Sequence, residues 1–298
     1  MYVVVGANGY LGSYIVNEII KKTNDEIIAT ARDLSRVFHH DRIKWIKCDI
    51  QSDSSVDKLC GQLAKLNNIK IIYLAAYHHP DEVESNRTLA WDINVTCLSK
   101  FLNKVNFADQ LFYASTDSVY GESTDFYHFK ETDLLNPVNF YGHCKCAAES
   151  LVVHRGYCVA RFPFLISPSL VYKPHFYDNI VNSLKNGIPF KMFQNSYRSS
   201  LSFENAAKLL VMLMEKGNSP SIVNICGDKD LSKYDVGLLI AERENYPKDL
   251  IVPVSFNDPM TNFLTQRASS TLMDNSLIKS LLRLRSIDIF QNPQSEGE

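Results

Sequence analysis

Val3-Val4-Val5-Gly6-Ala7-Asn8-Gly9-Tyr10-Leu11-Gly12 reads as a buried strand, a tight turn and the opening of a helix. The strand, Tyr2 to Val5, carries no charge, as expected of a strand covered on both faces. Gly6 allows the turn, Gly9 lets a diphosphate approach the backbone, and Gly12 lets helix and strand pack closely. Free amides at a helix N-terminus carry partial positive charge and favour an anion. Gly6, Asn8, Gly9, Tyr10, Leu11 and Gly12 are therefore the candidate cradle of a dinucleotide. The spacing is G-x-x-G-x-x-G rather than the commoner G-x-G-x-x-G. A glycine motif alone is weak, but this one follows a first strand directly and heads an amphipathic helix.

Working outward, short β-rich runs alternate with amphipathic stretches. Strands are expected at Tyr2–Val5, Glu26–Thr30, Ile43–Lys47, Ile69–Leu74, Gln110–Ala114 and Tyr157–Phe162. Helices are expected at Tyr10–Lys22, Ser54–Leu66, Ala90–Lys104 and Tyr141–His154. Such alternation implies crossover connections, a parallel sheet and helices on both its faces. After Pro163 the pattern breaks into a loop-rich, aromatic stretch punctuated by Pro168, Pro174 and Pro189, with later helices near Glu204–Lys216 and Lys233–Glu244. The expected fold class is α/β: a Rossmann-type, doubly wound parallel sheet over residues 1–162, with a smaller C-terminal substrate-binding lobe over 163–298, segments of which return to the sheet. The polar residues from Gln291 onward are expected to fray.

Composition narrows the classes. A chain of 298 residues with net charge −2 has no basic surface for nucleic acid, and no apolar run approaches the ~20 residues of a membrane span. With a strand starting at Tyr2 there is no room for a signal peptide, so a cytoplasmic location is expected. The seven cysteines are then free thiols. Cys144 and Cys146 would point roughly 200° apart on a helix, so no metal site is expected.

The end of the second strand reads Ala29-Thr30-Ala31-Arg32-Asp33. A strand-end carboxylate selects NAD through the ribose hydroxyl, whereas an arginine accommodates the 2′-phosphate of NADP. Arg32 favours NADP(H); Asp33 leaves NAD(H) open. Asp49 and Ile50, after the third strand, are placed to meet the adenine edge, with helix capping the plainer role for Asp49.

Tyr141-Gly-His-Cys-Lys145 puts a phenol and an ammonium on one helix face. An adjacent ammonium is expected to lower the tyrosine pKa and make it a usable acid or base near neutral pH. Upstream, Tyr113-Ala-Ser-Thr-Asp-Ser-Val-Tyr-Gly121 runs from a strand end into a loop and offers a hydroxyl to the same substrate oxygen.

Taken together, VVVGANGYLG, Leu74–Ala76, Asn94 in DINV, ASTDSVYG and YGHCK resemble the extended short-chain dehydrogenase/reductase family along essentially the whole chain. The resemblance implies that Thr116 is the catalytic hydroxyl, Tyr141 the general acid/base and Lys145 its partner, which also binds the nicotinamide ribose. It further implies that Ala75 and Ala76 line the cofactor and that Asn94 holds the active-site backbone. Arg198, ahead of SSLSFENAAKLL, is similar to an arginine of nucleotide-sugar enzymes, and the segment Gln266–Asp274, with Arg267, to one near the end of dTDP-4-dehydrorhamnose reductases. Those relatives place nucleotide diphosphates there, a chemistry that suits guanidinium forks.

Asp117 and Ser118 are the remaining substrate-facing candidates. Similar dehydratases read Thr-Asp-Glu where this chain reads Thr116-Asp117-Ser118, and the missing glutamate argues against water elimination. Similar epimerase-reductases carry a cysteine at the place of Ser118 and a histidine near Ser169, and both are absent. The expected activity is NAD(P)H-dependent reduction of the C4 ketone of a nucleotide-activated 4-keto-6-deoxy sugar. An NAD-dependent nucleotide-sugar 4-epimerase is the first alternative and a non-catalytic NADP-binding regulatory subunit the second. By analogy with relatives, a homodimer is expected. Phe162, Phe164, Tyr172, Phe176, Tyr177 and Phe193 are candidates for stacking on a base, with core packing the plainer role.

Overall fold

The structure is a computed structural model that describes residues 1–258 and 263–295. Seven parallel strands form one sheet in the spatial order Ile222–Asn224, Cys158–Phe162, Gln110–Thr116, Lys70–Tyr73, Tyr2–Val5, Ile27–Ala31, Ile43–Lys47. Tyr2–Val5 pairs in register with Ile27–Thr30 on one side and Lys70–Tyr73 on the other. The strand order reverses at this first strand. In open α/β sheets such a switch point leaves a ligand crevice at the carboxyl ends of the strands.

Tyr2–Val5, Ile27–Ala31 and Cys158–Phe162 are buried throughout, whereas the edge strand Ile43–Lys47, IKWIK, is only half-buried. One face packs on the helices Tyr10–Lys22 and Phe203–Lys216 through Ile15, Ile19, Leu210 and Leu213. The other packs on Asp53–Leu63, Cys97–Lys104 and Phe140–His154 through Leu59, Phe101 and Val152. A separate core forms the lobe. There the helices Phe176–Lys185 and Lys233–Arg243 cover a parallel ladder of Phe190–Phe193 with Ile251–Val254.

Three expectations need correction. The sheet has a seventh strand, Ile222–Asn224, that the six expected strands did not include; it and the helix Phe203–Lys216 are the segments beyond 162 that return to the sheet. The helix expected over Ala90–Lys104 is interrupted: Arg87–Trp91 runs into a π-helical turn, Asp92–Thr96, before Cys97–Lys104. In the tail, Gln294–Ser295 pairs with Leu284–Ser286 instead of fraying; its last three residues lie outside the described ones. All seven cysteines are free and six are buried. Among the described residues no helix is long and apolar enough to cross a membrane.

Candidate active site

The glycine loop sits at the switch point. Gly6 has φ +86°, and a Cβ there would lie 3.2 Å from the Ala75 amide, so Gly6 and Ala75 face each other at adjacent strand ends. A Cβ on Gly12 would come within 2.5 Å of Gly6 O and 2.9 Å of the Ala7 backbone. Gly9 caps the helix Tyr10–Lys22 without a side-chain bond, which leaves the first-turn amides of Tyr10, Leu11 and Gly12 uncapped beside exposed Asn8. This cradle fits a dinucleotide diphosphate. Gly12→Ala is expected to force the loop open, at a cost of about 1–3 kcal/mol of stability. Loss of NADPH binding in calorimetry, with a lowered Tm, checks this; wild-type affinity in that variant contradicts it.

Asn94 occupies the π-helical turn, a feature frequent at functional sites. Its Oδ1 accepts from Tyr77 N at 2.8 Å and its Nδ2 donates to Tyr77 O at 2.9 Å. It thereby pins the segment that follows the strand Lys70–Tyr73 and carries Ala75 and Ala76. Arg32 is exposed at the end of the second strand. Asp33 is committed instead to Ser35: Oδ1 accepts the amide at 2.9 Å and Oδ2 the hydroxyl at 2.8 Å, bonds that lower its pKa. The open cation and the engaged carboxylate suit a 2′-phosphate. Asp49 is half-buried and folds back on itself, Oδ1 accepting from Gln51 N at 3.1 Å; Ile50 beside it is half-buried.

Thr116 ends its strand and caps the 3₁₀ turn Asp117–Val119, accepting from Ser118 N at 3.2 Å. Its hydroxyl donates to Asp117 Oδ1 at 3.0 Å and lies 3.2 Å from Ser118 Oγ. The helix Phe140–His154 starts against this turn: a Cβ on Gly142 would lie 2.6 Å from Ser118 O. Asn139 caps that helix, accepting from Gly142 N at 3.0 Å, and donates to Gln266 O at 3.0 Å, so the lobe touches the helix of Tyr141 and Lys145 at its N-cap. Sequence reading missed Asn139; an asparagine just ahead of a helix start was the available signal.

Tyr141 and Lys145 share the expected face, but the expected pKa effect is reversed. Lys145 Nζ donates to Ala114 O at 2.6 Å and sits 4.2 Å from the centre of the Tyr113 ring. Its charge goes to a strand carbonyl and a ring face. Burial, then Asp117, then Cys144, raises the Tyr141 pKa, so the phenol stays protonated at neutral pH. Burial lowers Lys145 from 10.5 to about 7 against the opposing pull of Glu149 and Cys144. The penalty of burying this ammonium is fully present below about pH 7. It fades as pH rises towards 10.5, where the unfolded chain still holds a proton that the folded chain has lost. Relative to Lys145→Met, wild-type stability is expected to climb across that window. Urea denaturation at a series of pH values checks it, and parallel curves for the two proteins would contradict it.

The lobe's arginines are placed beside the site but are already engaged. Arg198 Nε lies 3.2 Å from Asp117 Oδ2, and its terminal nitrogens donate to the carbonyls of Tyr197, Ser269 and Ala268 at 2.7–2.8 Å. Burial raises the Asp117 pKa against the pull of Arg198. Arg267 pairs with Asp81 at 2.7 Å and covers the Phe263 ring at 4.2 Å. Of the six aromatic candidates, Phe162 and Tyr177 are core, Phe176 packs edge-on to Phe164 and Phe190, and Tyr172 is exposed under Arg36. Phe193 joins Phe256 and Phe263.

A first-strand glycine cradle, a parallel sheet reversing there, and a Thr-Tyr-Lys set at the end of the strand next but one define an NAD(P)-dependent oxidoreductase of the extended short-chain dehydrogenase/reductase type. NADP(H) is the favoured cofactor and NAD(H) a possible one. Residues 1–288 match the RmlD substrate binding domain, and the chain belongs to that family. It is similar to methionine adenosyltransferase 2 subunit beta of Bos taurus, 24% identical over 93% of this chain and 81% of that protein. It is also similar to the trifunctional UDP-glucose 4,6-dehydratase/UDP-4-keto-6-deoxy-D-glucose 3,5-epimerase/UDP-4-keto-L-rhamnose-reductase of Arabidopsis thaliana, 24% identical over 78% of this chain; the aligned region spans only 38% of that longer protein. The fold is that of the dTDP-4-dehydrorhamnose reductase of Bacillus anthracis in complex with NADP (TM-score 0.79, 20% identity, 99% of this chain and 94% of that one).

Proposed function

We propose that this protein reduces the C4 ketone of a nucleotide-activated 4-keto-6-deoxy sugar, of the dTDP-4-keto-6-deoxyhexose type, with NADPH in preference to NADH. The observation that supports the reading is the arrangement at the carboxyl ends of the sheet: Thr116 ends its strand and caps the Asp117 turn, the helix bearing Tyr141 and Lys145 starts against that turn, and the glycine cradle opens two strands away. A phenol kept protonated by burial and Asp117 suits delivery of a proton to a ketone oxygen. Gly6, Gly9, Gly12 and the amides of Tyr10 and Leu11 would hold the cofactor diphosphate, Arg32 the 2′-phosphate, and Lys145 the nicotinamide ribose. When bound, NADPH supplies a hydride to the carbonyl carbon. Tyr141 gives its phenolic proton to the carbonyl oxygen, so the C=O bond becomes CH–OH. Thr116 hydrogen-bonds the same oxygen, turning from Asp117 to do so. Asp117 and Ser118 face the sugar. The protein works as a cytoplasmic homodimer in this reading.

The test follows NADPH absorbance with purified protein and a panel of nucleotide 4-keto-6-deoxy sugars. Stoichiometric consumption supports the reductase. Product formed without net consumption, with NAD co-purifying, would assign the 4-epimerase instead. Silence with every ketosugar but retained NADPH binding would favour a regulatory subunit, the reading that the likeness to a protein named as a subunit beta supports.

A further inference from the structure

Arg198 and Arg267 are both paired, and the cation beside them without a carboxylate among the described residues is a lysine. Lys233 opens the helix Lys233–Arg243, which is capped by a reciprocal Ser232–Asp235 box. Its side chain runs between two rings, with Nζ 5.0 Å from the centre of Phe164 and 5.9 Å from that of Phe193. Leu231–Ser232, just before it, pairs antiparallel with Tyr197–Arg198. Phe193 meets Phe263 at 5.9 Å, and the Arg267 guanidinium covers that ring. Lys233, Arg198 and Arg267 thus converge on one aromatic-walled region next to Asp117.

The neighbouring acidic groups are already spent. Asp117 faces Arg198 at 3.2 Å and Asp81 faces Arg267 at 2.7 Å. Among the described residues no carboxylate lies within ion-pair distance of Lys233, and Arg267 Nε is buried without an acceptor. The first position of a helix is also the wrong end for a cation, because the helix dipole is positive there. A half-buried ammonium with no counter-ion, beside two guanidiniums, is costly unless an anion arrives. Burial, then Arg198, then Arg267, pushes this ammonium down to about 8, with Asp117 pulling the other way.

We propose that Lys233 is the anion receptor of the substrate lobe: its Nζ, with the free Nε of Arg267, takes phosphate oxygens of a nucleoside diphosphate seated between the lobe aromatics and the catalytic strand end. The inference rests on the nucleotide-sugar reading and deepens it. It shifts the main diphosphate contact from Arg198, which Asp117 already faces, to Lys233, which among the described residues has no carboxylate within ion-pair distance, with the Nε of Arg267 beside it.

Calorimetry of the full chain, saturated with NADPH so that the glycine cradle is filled, measures binding of dTDP and of inorganic pyrophosphate. Lys233→Met is expected to weaken dTDP binding by about 10- to 100-fold, the worth of a hydrogen bond to a charged group. Lys233→Arg should retain most of the affinity. NADPH affinity should be unchanged, and the Tm of Lys233→Met should equal or exceed that of the wild type, since an unpaired charge has gone. If the lysine is only a packing element against Phe164 and Phe193, Lys233→Met lowers the Tm and leaves dTDP affinity untouched, which overturns the inference. Pyrophosphate binding that depends on Lys233, without any dTDP binding, upholds the anion site and sinks the nucleotide-sugar reading. Ketosugar reduction at an unchanged KM in Lys233→Met does the reverse.

Discussion

Tyr141→Phe is expected to cut turnover by about 10²- to 10⁴-fold, the span of general acid–base catalysis by a positioned side chain. NADPH affinity should barely move. Among the described residues the phenol makes no hydrogen bond to the glycine cradle, and a phenylalanine keeps the ring and removes only the hydroxyl. The variant loses only the proton that Tyr141 delivers to the carbonyl oxygen. Steady-state kinetics with a ketosugar and NADPH, together with NADPH calorimetry, separate the two quantities. Turnover that survives in the variant would remove Tyr141 from the chemistry; lost cofactor binding would show that its role is architectural.

The largest stability effect is expected at Arg161. This residue is 1% exposed on the strand Cys158–Phe162, one in from the sheet edge, and its guanidinium forms a fork with Glu149, Nη2 to Oε2 at 2.6 Å and Nε to Oε1 at 3.0 Å. It also donates to Tyr120 Oη at 2.6 Å, and Tyr120 Oη donates to Asn224 Oδ1 at 2.8 Å. Ser115, one residue before Thr116, donates to the same Glu149 carboxylate. The network therefore joins the strand end of Thr116 to the catalytic helix one turn beyond Lys145, and reaches the seventh strand through Asn224. Arg161→Met would leave the Glu149 carboxylate buried without its cation, and breaking a buried pair from one side costs about 3–5 kcal/mol. Urea denaturation should show that loss, and Arg161→Met combined with Glu149→Leu should recover part of it. A single-variant loss within the noise of the measurement would mean that the pair is not the buried brace described here.

The features legible in the sequence are those written in local pattern. Tyr2–Val5, Tyr10–Lys22 and Ile43–Lys47 fall where the reading placed them, because apolar runs, glycine punctuation and helical period all operate within a few residues. Ile222–Asn224 was missed because three residues are too few to show a period. The ladder of Phe190–Phe193 with Ile251–Val254 joins segments far apart in the chain, and Pro253 reads against a strand unless the strand is at an edge, as it is here. The π turn at Asp92–Thr96 hides inside a stretch whose apolar period is helical on both sides.

At the site, residue types were legible and pairings were not. The Tyr141/Lys145 spacing gives a shared face, but nothing local says that the ammonium turns to Ala114 O, or that burial and Asp117 outweigh it at the phenol. Arg198 and Arg267 were recognisable as cations of the lobe. Their neutralisation by Asp117 and Asp81 depends on contacts between the lobe and the sheet domain that no window of sequence contains. Lys233 carries no local mark of its place beside them, for the same reason.

The central claim is that hydride passes from a nicotinamide held at the glycine cradle to a sugar carbonyl gripped by Tyr141 and Thr116. Its most direct test is a single turnover with NADPH deuterated at the transferring face of C4 and a dTDP-4-keto-6-deoxy sugar, followed by mass spectrometry and NMR of the sugar. The expected result is one deuterium at C4 of the product alcohol for each NADPH oxidised. Bound but unconsumed NADPH, with the ketosugar returned unlabelled, would contradict the account.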